Sequence, residues 1–332
     1  MVVWGFFELL GGVAVFLSGL KIIAASFSSL TDGKLKKPLQ KVSENKYLGV
    51  LLGAGVTALT QSSVAVNTLA VALVEGGCLS LSGACAVIIG TNVGTTITAH
   101  LVASTFRGGL NVPAIGAFIA FIGFLLEANK NEKIRTVGRA FLGFGFVFIG
   151  VKTMSIAMES FYDKSWFKNL FLIKSPAISL LNGFFITALC QSSSVISGTL
   201  VILATNKIVS VENAIYMIAG ANIGSTVAVI FAADKLGLNA KRAAYFNLLF
   251  NLISAAIFFV ISLIFGKQIS SFLVKISGGE GGAVANFHTF FNLVFGILAL
   301  PFLKKLSDLL VKIFPENFER AKNPVKAPRK NA

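Results

Sequence analysis

Apolar runs of about 20 residues, long enough to cross the hydrocarbon core of a bilayer, recur along the whole chain. One run in each half is cut by a short polar cluster. GVTALTQSSVAVNTLAVALV, Gly55 to Val74, is interrupted at Gln61-Ser62-Ser63. FFITALCQSSSVISGTLVIL, Phe184 to Leu203, is interrupted at Gln191-Ser192-Ser193-Ser194, 130 residues later. Polar side chains in mid-hydrocarbon are costly unless buried in protein or facing a wet cavity, so the doubled interruption marks a candidate site.

The pattern predicts a first span from Gly5 to Ser29, then a polar stretch from Thr31 to Lys46. The first run contains Glu8 and Lys21 without a basic leader, which reads as a retained span and not a signal peptide. Each arm around the first polar cluster is about 12 residues, roughly 18 Å as helix, too short to span about 30 Å. A re-entrant helical hairpin with the polar break at its tip is expected, and one long packed span is the rival reading. Leu79 to Ser104 follows, interrupted by Gly90-Thr91-Asn92-Val93-Gly94-Thr95-Thr96, which predicts an unwound, discontinuous span. Asn111 to Leu126 is the next span. The order then restarts: Phe141 to Met158, a second hairpin from Pro176 to Thr205, and a second broken span from Ser210 to Ala233 around Gly220-Ala221-Asn222-Ile223-Gly224-Ser225-Thr226. Ala243 to Phe265 and a last helix, Ala283 to Leu303, precede a basic tail.

From Thr57 to Ala103 the halves align without a gap at the offset of 130, and they coincide in Gln, Asn and Gly, not only in Leu and Val. The expected fold is an all-α polytopic membrane protein with two repeats, residues 1–135 and 136–268, an additional span over 269–303 and a short tail over 304–332. Three full crossings per repeat make the repeats inverted. With that topology 20 lysines and arginines fall on one side and 7 on the other, which places the basic side and the C-terminus in the cytoplasm.

Composition adds limits. The chain is 55% hydrophobic and 13% charged, about half the charge of a soluble domain. Its net charge of +15 follows membrane orientation, so nucleic acid is not an expected partner. Cys78, Cys85 and Cys190 lie in apolar sequence and read as packing residues. With two histidines no His-based transition-metal cluster is expected, and no nucleophile–base pair points to an enzyme.

Two hairpins entering from opposite faces bring two helix N-termini together near the bilayer centre. Such termini favour an anion. Ser62, Ser63, Ser192, Ser193 and Ser194 add hydroxyl donors, while Gln61 and Gln191 add both an acceptor and a donor. Simple N-capping is the plainer role for any one of these serines. Asn92, Thr95, Thr96, Asn222, Ser225 and Thr226, with Gln61 and Gln191, offer neutral oxygens suited to Na+. Packing kinks are the alternative role for the Gly-Asn segments. Acidic residues sit near span ends, which favours Na+ over H+ coupling. Lys21 and Lys152 fit snorkelling positions, and His288 fits a packing role.

The paired Gln-Ser-Ser clusters, each followed about 30 residues later by Gly-x-Asn-x-Gly-[Ser/Thr]-Thr, resemble the type II sodium-phosphate cotransporter family. Phe-Leu-Ser-Gly-Leu-Lys and Asn286–Asn292 are similar to that family too, so the likeness covers roughly residues 5 to 303. The resemblance implies sodium-driven uptake of inorganic phosphate through the cytoplasmic (inner) membrane by alternating access. It also implies a homodimer in membrane lipid, with Na+ as coupling ion and no cofactor. Val64 stands where the family commonly has a third serine, which makes the halves unequal. The short tail also stands where many bacterial members carry a soluble regulatory domain. Phosphate export, transport of another oxyanion, and a non-transporting scaffold or sensor are the rival functions.

Overall fold

The computed structural model describes residues 2–31, 45–106, 112–160, 164, 175–234 and 236–315. Every regular element among them is helical. In chain order these are α1 (Val2–Thr31), α2 (Lys46–Thr60), α3 (Ser63–Glu75), α4 (Leu81–Thr95), α5 (Ile97–Ser104), α6 (Val112–Glu127), α7 (Glu132–Glu159), α8 (Pro176–Cys190), α9 (Ser193–Thr205), α10 (Val211–Gly224), α11 (Thr226–Asp234), α12 (Leu238–Ser277), α13 (Glu280–Ala299) and α14 (Leu303–Ile313). A 3-10 turn, Leu300–Phe302, joins the last two. Among the described residues, five stretches are long and apolar enough to cross a membrane: Leu81–Ser104, Glu132–Met154, Val211–Asp234, Leu238–Ser277 and Glu280–Ile313. The chain is therefore a polytopic helical membrane protein. The polar stretch before Lys46 and the tail beyond residue 315 lie outside the described residues.

Glycines set the closest helix contacts. A Cβ on Gly53 would strike the Val87 carbonyl, and one on Gly90 the Val50 carbonyl, so α2 lies backbone to backbone on α4. Gly183 against Met217 and Gly220 against Leu180 repeat this between α8 and α10. Residue numbers rise together along each pair (Gly94 faces Thr57, Gly224 faces Thr187), so the helices of a pair run parallel. The helix between them must run back, and the chain doubles over at Gln61–Ser62 and again at Gln191–Ser192. The arms, 15 and 13 residues long in each half, measure about 20 Å.

A second set of glycine contacts joins the halves. On α1, Gly12 meets Met154 and Gly19 meets Val147; on α7, Gly143 meets Ile23 and Gly150 meets Phe16. Each contact recurs with the two helices exchanged, and rising numbers on one meet falling numbers on the other. Helices α1 and α7 are thus antiparallel around an approximate two-fold axis. Two apolar cores result. One gathers Cys85–Ile89 of α4, Phe246 and Phe250 of α12, and Leu303 and Leu310 of α14. The other gathers α9, Ile215–Ala219 of α10, and Phe287 and Phe291 of α13.

The structure corrects four expectations. Gly90 to Thr95 and Gly220 to Gly224 stay helical, with an interruption only at Thr96 and Ser225, both still in right-handed helical backbone. Their glycines serve helix contact and not unwinding. Helix α12 runs for 40 residues, about 60 Å, well beyond Ala243 to Phe265. The basic tail opens as α14, whose Leu303, Ser307 and Leu310 are buried while Lys304, Lys305 and Lys312 are exposed. Arg242 holds its end, donating from Nε and Nη2 to the Phe314 carbonyl at 3.0 and 2.6 Å. Only Cys85 of the three cysteines is buried; Cys78 and Cys190 are exposed.

Candidate functional site

The two polar breaks are built alike to within a few degrees. Gln61 ends α2 at φ 53°, ψ 26°, and Gln191 ends α8 at φ 52°, ψ 26°, both in the left-handed region. Ser62 (φ −140°) and Ser192 (φ −147°) are extended, and the next helix begins at once. Left-handed backbone is disfavoured for residues other than Gly, Asn and Asp. Among the described residues only Gln61, Gln191 and Lys207 combine a positive φ with a side chain. Glycine is the ordinary choice for such a turn. Glutamine stands at both instead.

Ser62 and Ser192 are N-caps, accepting from Ala65 N–H at 3.3 Å and Val195 N–H at 3.5 Å. The capping role is therefore real. It occupies a lone pair and leaves the hydroxyl proton free to donate. The first-turn N–H groups of α3 and α9 have no acceptor within their helices, so each break presents backbone and hydroxyl donors together. Ser193 and Ser194 are buried, whereas Ser62, Ser63 and Ser192 are half-buried.

The two glutamines differ. Gln61 is buried; its Nε2 donates to the Ala58 carbonyl and its Oε1 accepts from Thr98 Oγ1. Gln191 is exposed. The residue that matches Thr98 in the second half is Ala228, which has no hydroxyl to give.

The candidate cation ligands are all buried apart from Gln191. Thr95 and Thr96 donate to the Thr91 and Val93 carbonyls at 2.8 Å, and Ser225 and Thr226 to the Asn222 and Ile223 carbonyls at 2.7 Å. Each hydroxyl oxygen keeps lone pairs for a cation while its proton is spent on the helix. Asn92 donates to the Ile88 carbonyl at 3.0 Å. Asn222 is held on both sides: its Nδ2 donates to Asn292 Oδ1 at 3.1 Å, and its Oδ1 lies 3.3 Å from His288 Nε2.

The first break is thus tied to the interrupted helix of its own half by the Thr98–Gln61 bond, the second is held beside its own by helix packing, and the halves interlock. Helix α9 packs on α5, and reciprocally α3 packs on α11. Among the described residues no hydrogen bond joins the two breaks directly. A cavity of about 670 Å³ lined by Lys207, Ser210, Glu212, Lys275 and Glu280 touches none of the predicted ligands. The Lys21 side chain lies outside the described residues, and Lys152 is exposed.

Sequence reasoning missed several partners. Thr98 was hidden because its counterpart is alanine. Asn67, which accepts from Thr91 Oγ1 at 2.7 Å, is matched by Ser197 and so leaves no repeat signal. Thr57 and Thr187 each stand four residues before the glutamine of a break, and both have buried hydroxyls with no partner among the described residues. His288, expected only to pack, is bonded to Asn222.

This is the fold of a multi-span membrane protein with a duplicated polar break. A family model described as Na+/Pi-cotransporter matches residues 15–156 and again 157–278. The chain belongs to the Na+/Pi-cotransporter family, a family of transporters. It is 27% identical over 305 residues to the uncharacterized protein YqeW of Bacillus subtilis (strain 168), covering 91% of this chain and 96% of the relative. It is 27% identical over 302 residues to YjbB of Escherichia coli (strain K12), a candidate inorganic phosphate export protein by name. That match covers 90% of this chain and 54% of YjbB, so the chain spans about half the length of that relative. Human sodium-dependent phosphate transport protein 2B is 34% identical over 98 residues, 29% of this chain and 14% of the relative. No solved structure matches the chain.

Proposed function

We propose that the protein is a sodium-coupled symporter of inorganic phosphate, working by alternating access in the cytoplasmic (inner) membrane. The observation that carries this is the doubled break. Two left-handed glutamines each launch a helix whose first turn offers N–H and serine O–H donors, in a chain of the Na+/Pi-cotransporter family.

Phosphate is held between the breaks by Ser62, Ser63, Ser192, Ser193 and Ser194, with Gln61 and Gln191 beside it. Two helix N-termini supply about half a positive charge each. Phosphate is a multivalent acceptor, so donors from both halves serve it without a lysine or arginine at the centre. Sodium is held by neutral oxygens from Gln61, Asn92, Thr95, Thr96, Gln191, Asn222, Ser225 and Thr226. The unpartnered hydroxyls of Thr57 and Thr187 extend that set.

The breaks are tips of re-entrant hairpins in two inverted repeats, residues 1–135 and 136–268, with the C-terminus in the cytoplasm. The antiparallel, exchange-related contacts of α1 and α7 support this reading, as do arms too short to span alone. A homodimer in membrane lipid is the assembly we assign. Export of phosphate is the second reading, favoured by the likeness to YjbB.

The test is uptake of labelled phosphate into proteoliposomes carrying an inward sodium gradient. Accumulation is expected in wild type and lost in Gln61→Ala and Gln191→Ala proteins that remain folded. Equal uptake with and without the gradient would refute the coupling.

A further inference from the structure

Helices α12 and α13 carry the same buried motif. Phe246-Asn247-Leu248-Leu249-Phe250-Asn251-Leu252 on α12 matches Phe287-His288-Thr289-Phe290-Phe291-Asn292-Leu293 on α13, 41 residues later. Asn247, Asn251, His288 and Asn292 are all 1% exposed or less. Both motifs close the same internal bond: Asn251 Nδ2 donates to the Asn247 carbonyl, and Asn292 Nδ2 to the His288 carbonyl, each at 2.9 Å. Their surroundings match as well. Helix α12 packs on α3 and α4 of the first half as α13 packs on α9 and α10 of the second. Glu75 reaches the start of α12, accepting from Ala240 N–H at 3.0 Å, and its repeat mate Thr205 abuts Gly281 at the start of α13.

The motifs differ in what they hold. His288 and Asn292 engage Asn222. Among the described residues, Asn247 Nδ2 and Asn251 Oδ1 on α12 are buried without a partner, as is His288 Nδ1 on α13, but neither asparagine of α12 reaches Asn92. Asn92, the repeat mate of Asn222, is turned onto the Ile88 carbonyl of its own helix. A buried amide donor and acceptor left unmatched are costly in one conformation. A second conformation in which Asn92 meets Asn247 and Asn251 would offset that cost.

We propose that Asn247–Asn251 and His288–Asn292 are paired positioning residues that hold Asn92 and Asn222 in turn. The observed conformation has Asn222 held and Asn92 released. In the alternate conformation Asn92 leaves Ile88 for Asn247 and Asn251, while Asn222 lets go of α13. Exchanging one set of bonds for the other keeps the two conformations close in energy, as a cycling transporter requires. The proposal rests on the alternating-access reading above.

The test uses cysteine pairs in full-length protein in membranes, with Cys78→Ser, Cys85→Ala and Cys190→Ser as background. Mercuric ion is the cross-linker for Asn222→Cys with Asn292→Cys, and separately for Asn92→Cys with Asn251→Cys. Both pairs are expected to cross-link. Cross-linking of only the Asn222/Asn292 pair would overturn the alternation, and failure of that pair would contradict the clamp itself. His288→Asn makes the two motifs alike with little steric change. It is expected to raise the Asn92/Asn251 yield about threefold, the effect of weakening one modest hydrogen bond; an unchanged yield also overturns the proposal. Cross-linking needs no phosphate flux, so absent transport in wild type would fault the functional reading alone.

Discussion

Replacing each left-handed glutamine with glycine separates backbone strain from side-chain chemistry. Left-handed backbone costs a residue with a Cβ roughly 1–2 kcal/mol, and glycine gives back roughly 0.5–1 kcal/mol in chain entropy. Gln191→Gly, at an exposed side chain, is therefore expected to be neutral or up to about 1.5 kcal/mol more stable. Gln61→Gly gains the same relief but strands Thr98 Oγ1, a fully buried hydroxyl whose acceptor is Gln61. An unmatched buried hydroxyl costs about 1–3 kcal/mol, so Gln61→Gly should be the less stable variant by about that amount. Thermal unfolding of the two purified variants, side by side in one detergent, reads the difference. Phosphate uptake is expected to fall at least about tenfold in both, since removing one amide hydrogen bond to a bound anion costs about 1.4 kcal/mol or more. Equal melting shifts would refute the Thr98 argument. Wild-type uptake by Gln191→Gly would refute the claim that glutamine is kept there for its side chain.

Three further outcomes follow from the packing and the tips. Gly220→Ala drives a Cβ into the Leu180 carbonyl, and Gly90→Ala into the Val50 carbonyl; each should cost about 1–3 kcal/mol, read as a lower melting temperature. Glu75→Gln weakens the charged cap on Ala240 N–H and should cost about 1 kcal/mol, with faster hydrogen exchange at the start of α12. Ser194→Val gives the second tip the residue that Val64 supplies in the first, and Ser194 is buried. It should raise the phosphate concentration for half-maximal uptake about tenfold, whereas Val64→Ser should leave it level or lower it.

Much of this molecule could be read from its residues, and the failures have physical causes. The duplication was legible because Gln, Ser, Asn and Gly recur in register within apolar sequence, where composition alone would not repeat them. The helix breaks at Gln61 and Gln191 were legible from the polar clusters that interrupt apolar runs. What a glycine is for was not: Gly90 and Gly94 looked like helix breakers, yet they let α4 touch the α2 backbone and stay helical. The α12–α13 motif escaped notice because its offset differs from that of the main repeat, and because histidine replaces asparagine at one of its positions. Buried bonds such as Thr98 to Gln61 join residues 37 apart with no counterpart in the other half. They become visible only once the helices are packed.

The most direct test of the central claim is the number of phosphate sites per chain, measured by equilibrium binding to purified protein in sodium buffer. If both tips build one site, one phosphate binds per chain, and Ser62→Ala and Ser192→Ala each weaken that same site. Two phosphates per chain, or a single site indifferent to either tip, would contradict it.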